Sequence, residues 1–174
     1  MPFVKTWSEE LVAEWLRLEG YFVEESVPFG VTLAGGRLEA DVVGVKIENN
    51  ALRVKHVEVG NLTGSTKEDI QKVQNKFSRS GIIEYCKEKL KFSENVKPEY
   101  MYVVTYSSKK KVQAIREATN LNVKRMEEFI REDVFPAIDK WKSDPPYKLK
   151  SRGKIVTLPD GLWMLQLLDY LQRK

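Results

Sequence analysis

Two acidic residues lie in short apolar segments where a lone carboxylate is costly to bury. Asp41 is followed by two valines, and Glu58 lies between two valines with His56 two residues before it. If both segments are neighbouring strands, the two carboxylates can face each other, and facing carboxylates repel unless a cation lies between them or one is protonated. Hard divalent cations such as Mg²⁺ suit these oxygen donors, so the pair indicates a metal site for phosphoryl transfer.

Structural ion pairs are the alternative interpretation of these acids. Arg37, Arg53 or a lysine of the following helix would then neutralise their charge, and neither acid would take part in catalysis. His56 could assist water or contact phosphate, or it could be an ordinary packed side chain of its strand.

The composition restricts the kind of metal site. Cys86 is the only cysteine and His56 the only histidine, which excludes an internal disulfide and a zinc cluster of cysteines and histidines. A bound metal must therefore rely mainly on carboxylates. No apolar run approaches the roughly 18–20 residues that span a bilayer, and the N-terminus lacks the apolar core of a secretory signal. We therefore expect a soluble, cytoplasmic protein without membrane contact.

Charge is distributed unevenly along the chain. Residues 1–45 contain three Lys/Arg and eight Asp/Glu, whereas residues 46–174 contain 26 and 17. A protein that handles DNA with bound cations needs acids for the metal and a basic surface for the phosphates. The alternative is that the lysines merely solvate the surface. The candidate nucleic-acid contacts are Lys109, Lys110, Lys111, Lys148, Lys150 and Arg152.

The first half of the chain predicts a helix, a meander and a second helix. Thr6 with Glu9, and Ser65 with Glu68, are capping boxes that begin helices. Between them, short β-branched runs are separated by turn residues, including those at 28–30 and 48–50. This spacing predicts an antiparallel meander.

The second half predicts one central strand followed by helices. Residues 100–106 are apolar on both faces, as in a buried strand, and residues 109–119 and 123–135 predict helices. Residues 154–158 predict a small strand, and Asp160 is the predicted cap of a last amphipathic helix. The order α-β-β-β-α-β-α predicts an α/β fold, a mixed sheet with helices on both faces.

These segments resemble the PD-(D/E)xK nuclease superfamily, especially archaeal Holliday-junction resolvases and modified-DNA restriction enzymes. The matching pieces are EELVAEWL at 9–16, GYFV at 20–23, EADVV at 39–43 and HVEV at 56–59. The resemblance implies a restriction-endonuclease-like three-layer α/β/α fold that hydrolyses DNA phosphodiesters with Mg²⁺ or Mn²⁺, and for the resolvase branch a homodimer. It assigns metal binding to Glu9, Asp41 and Glu58.

Glu9 has a second explanation as the last residue of its capping box, where its carboxylate accepts the backbone N–H of Thr6. Glu10 and Glu14 are alternative metal ligands if the register is shifted.

One departure from the family pattern concerns its lysine, which follows the last Glu by two residues and helps to position or activate water. This chain has Gly60 there, and Lys55 points to the opposite face of the strand. A lysine of the following helix is the possible substitute. Helical spacing puts Lys67 on one flank of the buried stripe and Lys76 on the other, and Lys67 is the preferred substitute.

We therefore expect a nuclease domain over residues 1–142, followed by a basic linker and a C-terminal helical extension over residues 143–174. The expected function is metal-dependent endonuclease activity on DNA, with Glu9, Asp41, Glu58 and Lys67 as catalytic residues. The alternative is a catalytically silent DNA-binding or protein-assembly module, because Gly60 replaces the family lysine.

Overall fold

A single mixed sheet forms the middle layer of the protein. The computed structural model describes residues 6–31, 37–77, 81–91, 96–145 and 156–173. Its strands are β1 (Phe22–Val31), β2 (Arg37–Glu48), β3 (Ala51–Asn61), β4 (Val96–Tyr106) and β5 (Asn122–Arg125), and they lie side by side in this order. The first three are antiparallel, whereas β4 runs parallel to β3 and β5 parallel to β4. The predicted meander and the mixed sheet are confirmed.

Helices cover both faces of this sheet. They are α1 (Trp7–Leu18), α2 (Thr66–Phe77), α3 (Gly81–Leu90), α4 (Lys109–Thr119), α5 (Met126–Phe129), a π-helical turn (Ile130–Val134), α6 (Phe135–Ser143) and α7 (Trp163–Gln172). Both predicted capping boxes are present: Thr6 and Glu9 exchange hydrogen bonds at the start of α1, and Ser65 and Glu68 do so at the start of α2. Among the described residues, no helix is long and apolar enough to cross a bilayer.

Alternation along β4 divides the core between the two faces of the sheet. Met101 and Val103 pack into one apolar cluster with α1, α5, α6 and α7. Tyr102 and Val104 point the other way and pack with α2 and α4, while α3 covers β1 and β2 on that same side. The predicted central strand is confirmed, because consecutive residues of β4 are buried on both faces. The result is the expected α/β/α arrangement.

Two local expectations differ from the structure. β1 continues through the predicted turn at 28–30, with only an irregularity of register between Pro28 and Gly30. β5 occupies the start of the stretch 123–135 that was expected to be helical. Val123 is completely buried there beside Tyr102, so pairing with the edge of β4 outweighs local helical preference.

The last helix joins the main core. Leu162 and Leu165 are buried in the cluster that contains α1. The start of α7 is capped by Glu14 and not by the predicted Asp160: the two carboxylate oxygens of Glu14 accept the backbone N–H groups of Met164 at 3.3 Å and of Leu165 at 3.0 Å. The described residues 156–158 contain no strand, and the rest of that predicted strand lies outside the described residues.

Candidate active site

Asp41 and Glu58 meet across the central antiparallel strand pair. The register pairs Val42 of β2 with Val57 of β3, so the next residues along, Asp41 and Glu58, lie opposite each other. Oδ2 of Asp41 also accepts the backbone N–H of Val59 at 2.8 Å. The convergence of the two acids expected from strand alternation is therefore present.

Glu58 is completely buried, and each of its oxygens has a different neighbour. Nε2 of His56 lies 2.7 Å from Oε1, and Nζ of Lys76 lies 2.5 Å from Oε2. The lysine contact is a close ion pair and, against the effect of burial, the charge of Glu58 and its contact with the ammonium both raise the pKa of Lys76. Each oxygen of this buried carboxylate therefore has one polar neighbour, an imidazole at Oε1 and an ammonium at Oε2.

The electrostatics of the site follow from the closeness of its charges. Burial, and next the charge of Glu58, raise the pKa of Asp41 to about 7, although the N–H of Val59 and the ammonium of Lys76 oppose this shift. For Lys76, burial acts to lower the pKa, but the charges of Glu58, Asp41 and Glu9 outweigh it and raise the pKa. The site therefore carries an excess of negative charge that one ammonium only partly balances.

The lysine that contacts Glu58 is Lys76 and not the expected Lys67. The ring of Phe77 packs 5.0 Å from that of His56 and 6.4 Å from that of Tyr102, which places the last turn of α2 over Glu58. Lys67 is exposed in the first turn, about 13 Å away along the helix axis. Helical spacing correctly separated the two flanks of α2, but which flank faces the site depends on how the helix docks.

Gly60 leaves room for a neighbouring tyrosine. A Cβ atom at position 60 would lie 3.0 Å from the hydroxyl oxygen of Tyr102, closer than ordinary van der Waals contact. Tyr102 pairs in register with Glu58 on the adjacent strand, and its own pKa is raised by burial and then by the charges of Glu58 and Asp41. The space that a lysine stem would need at position 60 is thus partly filled by a phenol.

Glu9 is held by its own helix. Its Oε2 accepts the backbone N–H of Thr6 at 3.2 Å, as the capping-box explanation requires. Its charge still reaches the site, because it contributes to the raised pKa of both Asp41 and Lys76.

The acidic pair has the donor chemistry of a magnesium site. Asp41 and Glu58 offer hard carboxylate oxygens from neighbouring strands, and one oxygen of Glu58 lies against the ammonium of Lys76. Within the described ranges, no three Asp, Glu, His or Cys residues are grouped so that they could hold a metal, so Glu9 does not complete a triad. Since Mg²⁺ is commonly bound by one or two carboxylates together with waters and substrate phosphate oxygens, the pair fits such an ion.

The six basic residues predicted to contact nucleic acid fall into three groups. Lys109 and Lys110 are exposed in the first turn of α4. Lys111, by contrast, is used internally: its Nζ donates to the carbonyl of Gly64 at 2.6 Å and to Oδ2 of Asp69 at 2.9 Å, so it ties α4 to the start of α2. Lys148, Lys150 and Arg152 lie outside the described residues.

Three side chains surround the acidic pair in a way that the sequence did not predict: Lys76, Tyr102 and His56. Lys76 was placed on the opposite flank of the helix from Lys67, which was the preferred lysine. Tyr102 lies on the strand expected to be central, but its register against Glu58 depends on parallel pairing across a helical crossover. The position of His56 two residues before Glu58 was a usable signal, since residues at i and i+2 share a strand face.

Comparison with known proteins gives a similarity of structure and none of sequence. No protein-family model and no curated protein matches the chain. Among solved structures, the chain is similar to the restriction endonuclease FokI bound to DNA, with a TM-score of 0.38 and 16% sequence identity. The similarity covers 71% of this chain and only 23% of the FokI chain. What can be inferred about function therefore depends on the residues of the site itself.

Proposed function

We propose that the protein is a metal-dependent DNA endonuclease that hydrolyses phosphodiester bonds, with Mg²⁺ or Mn²⁺ held by Asp41 and Glu58. The observation that supports this most is the convergence of two carboxylates and one ammonium from β2, β3 and α2 on one point. Purely structural ion pairing would match acids with bases, whereas here burial, and next the charge of Glu58, raise the pKa of Asp41 to about 7.

The reaction assigns a different task to each group. Asp41 and Glu58 would hold the divalent cation, which would supply an activated water and neutralise charge on the phosphate. The water oxygen forms a new bond to phosphorus and gives up one proton, the bond from phosphorus to one ester oxygen breaks, and the leaving oxygen takes up a proton. Lys76, whose ammonium lies at Glu58, orients the water or stabilises the negative charge that develops on the phosphate. In this scheme Lys76 takes the task for which the sequence analysis preferred Lys67.

The remaining predicted residues act around this centre. Glu9 adds negative charge from the start of α1 and favours cation binding at the acidic pair. Lys109 and Lys110 contact DNA phosphates, as do Lys148, Lys150 and Arg152 in the basic segment. Such contacts strengthen binding in a salt-dependent way and carry no sequence preference by themselves.

A catalytically silent module of the same fold is the second candidate. Two observations favour it: Glu58 is completely buried with a partner at each oxygen, and Gly60 stands where the family lysine would be. Such a protein would bind DNA or a protein partner without cleaving the DNA. It would also need no divalent cation.

A cleavage assay separates the two candidates. Branched, single-stranded and duplex DNA are incubated with the protein in Mg²⁺, in Mn²⁺ and in EDTA, beside the variants Asp41→Ala and Glu58→Ala. Lys76→Ala and Lys67→Ala form a matched pair on one helix. We expect cation-dependent cleavage that both acidic variants lose and that Lys76→Ala lowers by about 10²–10³-fold, the usual effect of removing one electrostatic stabiliser, while Lys67→Ala cleaves normally.

Two results would contradict the proposal. Cleavage that persists in EDTA or in both acidic variants would place the chemistry elsewhere. Salt-sensitive DNA binding without cleavage of any substrate in either cation would support the silent module.

A further inference from the structure

The single histidine of the chain is enclosed in an aromatic cluster beside the acidic pair. His56 is 2% exposed, and its ring lies 5.0 Å from that of Phe77, 6.0 Å from that of Tyr100 and 6.2 Å from that of Phe29. These three rings come from α2, β4 and β1, so they restrict the imidazole from several directions. A polar ring is placed here in an environment where an apolar ring would pack without a desolvation cost.

The hydrogen bond to Glu58 defines which nitrogen of the ring carries hydrogen. Nε2 of His56 lies 2.7 Å from Oε1 of Glu58. With the ammonium of Lys76 at its other oxygen, the carboxylate of Glu58 is the acceptor, which assigns Nε2 as the donor. Because both side chains are buried, this bond has little competition from water.

We propose that His56 is a positioning residue that fixes the carboxylate of Glu58 for cation binding. This inference rests on the function proposed above. The bond at Oε1 leaves Oε2 as the oxygen next to Lys76 and stops the carboxylate from rotating. Hydrogen bonds from outer groups to metal-ligating carboxylates commonly determine cation affinity and activity by 10–100-fold.

Simple packing is the competing explanation, and it makes opposite predictions for two substitutions. Phe at position 56 preserves a ring for the cluster but cannot donate a hydrogen bond. Gln gives up the ring but carries an amide N–H that can reach Oε1. A positioning role therefore requires Gln to perform better than Phe, whereas a packing role requires the reverse.

The test measures Mn²⁺ binding to the full-length protein by electron paramagnetic resonance, without DNA and independently of cleavage. The set consists of wild type, His56→Phe, His56→Gln, Asp41→Asn and the control Tyr100→Phe, which alters the same cluster without touching Glu58. We expect His56→Phe to weaken Mn²⁺ binding by about 10–100-fold, His56→Gln to recover most of it, and Tyr100→Phe to bind like wild type. Nitrogen-15 NMR of the metal-free protein should show that Nε2 of His56 carries the hydrogen. The chain has a single histidine, so the imidazole signals need no further assignment.

The possible results are distinguishable. Folded His56→Phe that binds Mn²⁺ as tightly as wild type overturns the positioning role and leaves the proposed function intact. Wild type that binds no better than Asp41→Asn overturns the proposed function, and the positioning role with it. If His56→Phe does not fold, His56→Gln and the NMR spectrum test the positioning role. Weak Mn²⁺ binding by His56→Gln, or an Nε2 that carries no hydrogen, overturns the inference.

Discussion

Replacing Asp41 with Asn should stabilise the cation-free protein while abolishing cation binding. Asn removes the charge, preserves the shape of the side chain and can still accept the N–H of Val59. The pKa of Asp41 is raised from 3.8 to about 7 because the group is buried and faces Glu58. A rise of about three pKa units corresponds to about 4 kcal/mol of unfavourable free energy for ionised Asp41 in the folded state, an upper limit that partial solvation reduces to about 2–4 kcal/mol.

The sign of the pH dependence follows from the direction of the shift. Between about pH 4 and pH 7 the folded protein holds a proton on Asp41 that the unfolded chain has released. Raising the pH through this window therefore removes stability from wild type, and the full penalty is present at pH 8. Asp41→Asn has no such proton to lose, so its advantage over wild type should be small at pH 4 and greatest at pH 8.

Urea unfolding at pH 4, 6 and 8 in EDTA measures these free energies directly. Glu39→Gln, on the same strand, controls for the general effect of removing one acid from β2. Adding Mg²⁺ at pH 8 should stabilise wild type by mass action and leave Asp41→Asn unchanged. If Asp41→Asn is less stable than wild type at pH 8 in EDTA, Asp41 is a structural ion-pair partner and the reasoning is wrong.

Substitutions at Glu14, Gly60, Lys111 and Lys109 test other parts of the structure. Glu14→Ala leaves two backbone N–H groups at the start of α7 without an acceptor and should lower the free energy of unfolding by about 2–3 kcal/mol in urea titrations, with Glu14→Gln less affected. Gly60→Lys should cost about 1–3 kcal/mol and leave the cleavage rate no higher than in wild type, because its Cβ meets the hydroxyl of Tyr102; adding Tyr102→Phe should recover part of the stability. Lys111→Met should lower the free energy of unfolding by about 1–2 kcal/mol, because the hydrogen bonds from Lys111 to Gly64 and Asp69 are lost. Lys109→Met should leave stability unchanged and reduce the salt dependence of DNA binding. Equal effects of the two lysine substitutions on stability would contradict the distinction between them.

The local features of the fold were predictable because they depend on short-range periodicity. The capping boxes that begin at Thr6 and Ser65 depend on hydrogen bonds between residues three positions apart, and both are present. The opposition of Asp41 and Glu58 follows from strand alternation and a short hairpin, whose turn residues have the positive φ angles typical of such turns. The fold class and the acidic pair were accessible from the sequence for this reason.

The partners of that pair were decided only in three dimensions. Lys76 and Lys67 are chemically identical and lie on the same helix, so only the docking of α2 through Phe77 determines which of them reaches Glu58. Tyr102 reaches Gly60 because β3 and β4 pair in parallel after a long crossover. Periodicity along an element is encoded within a few residues, whereas contacts between elements depend on the packing of the whole core. The sequence alone therefore determined that two acids would face each other, and the tertiary structure decided which lysine, histidine and tyrosine surround them.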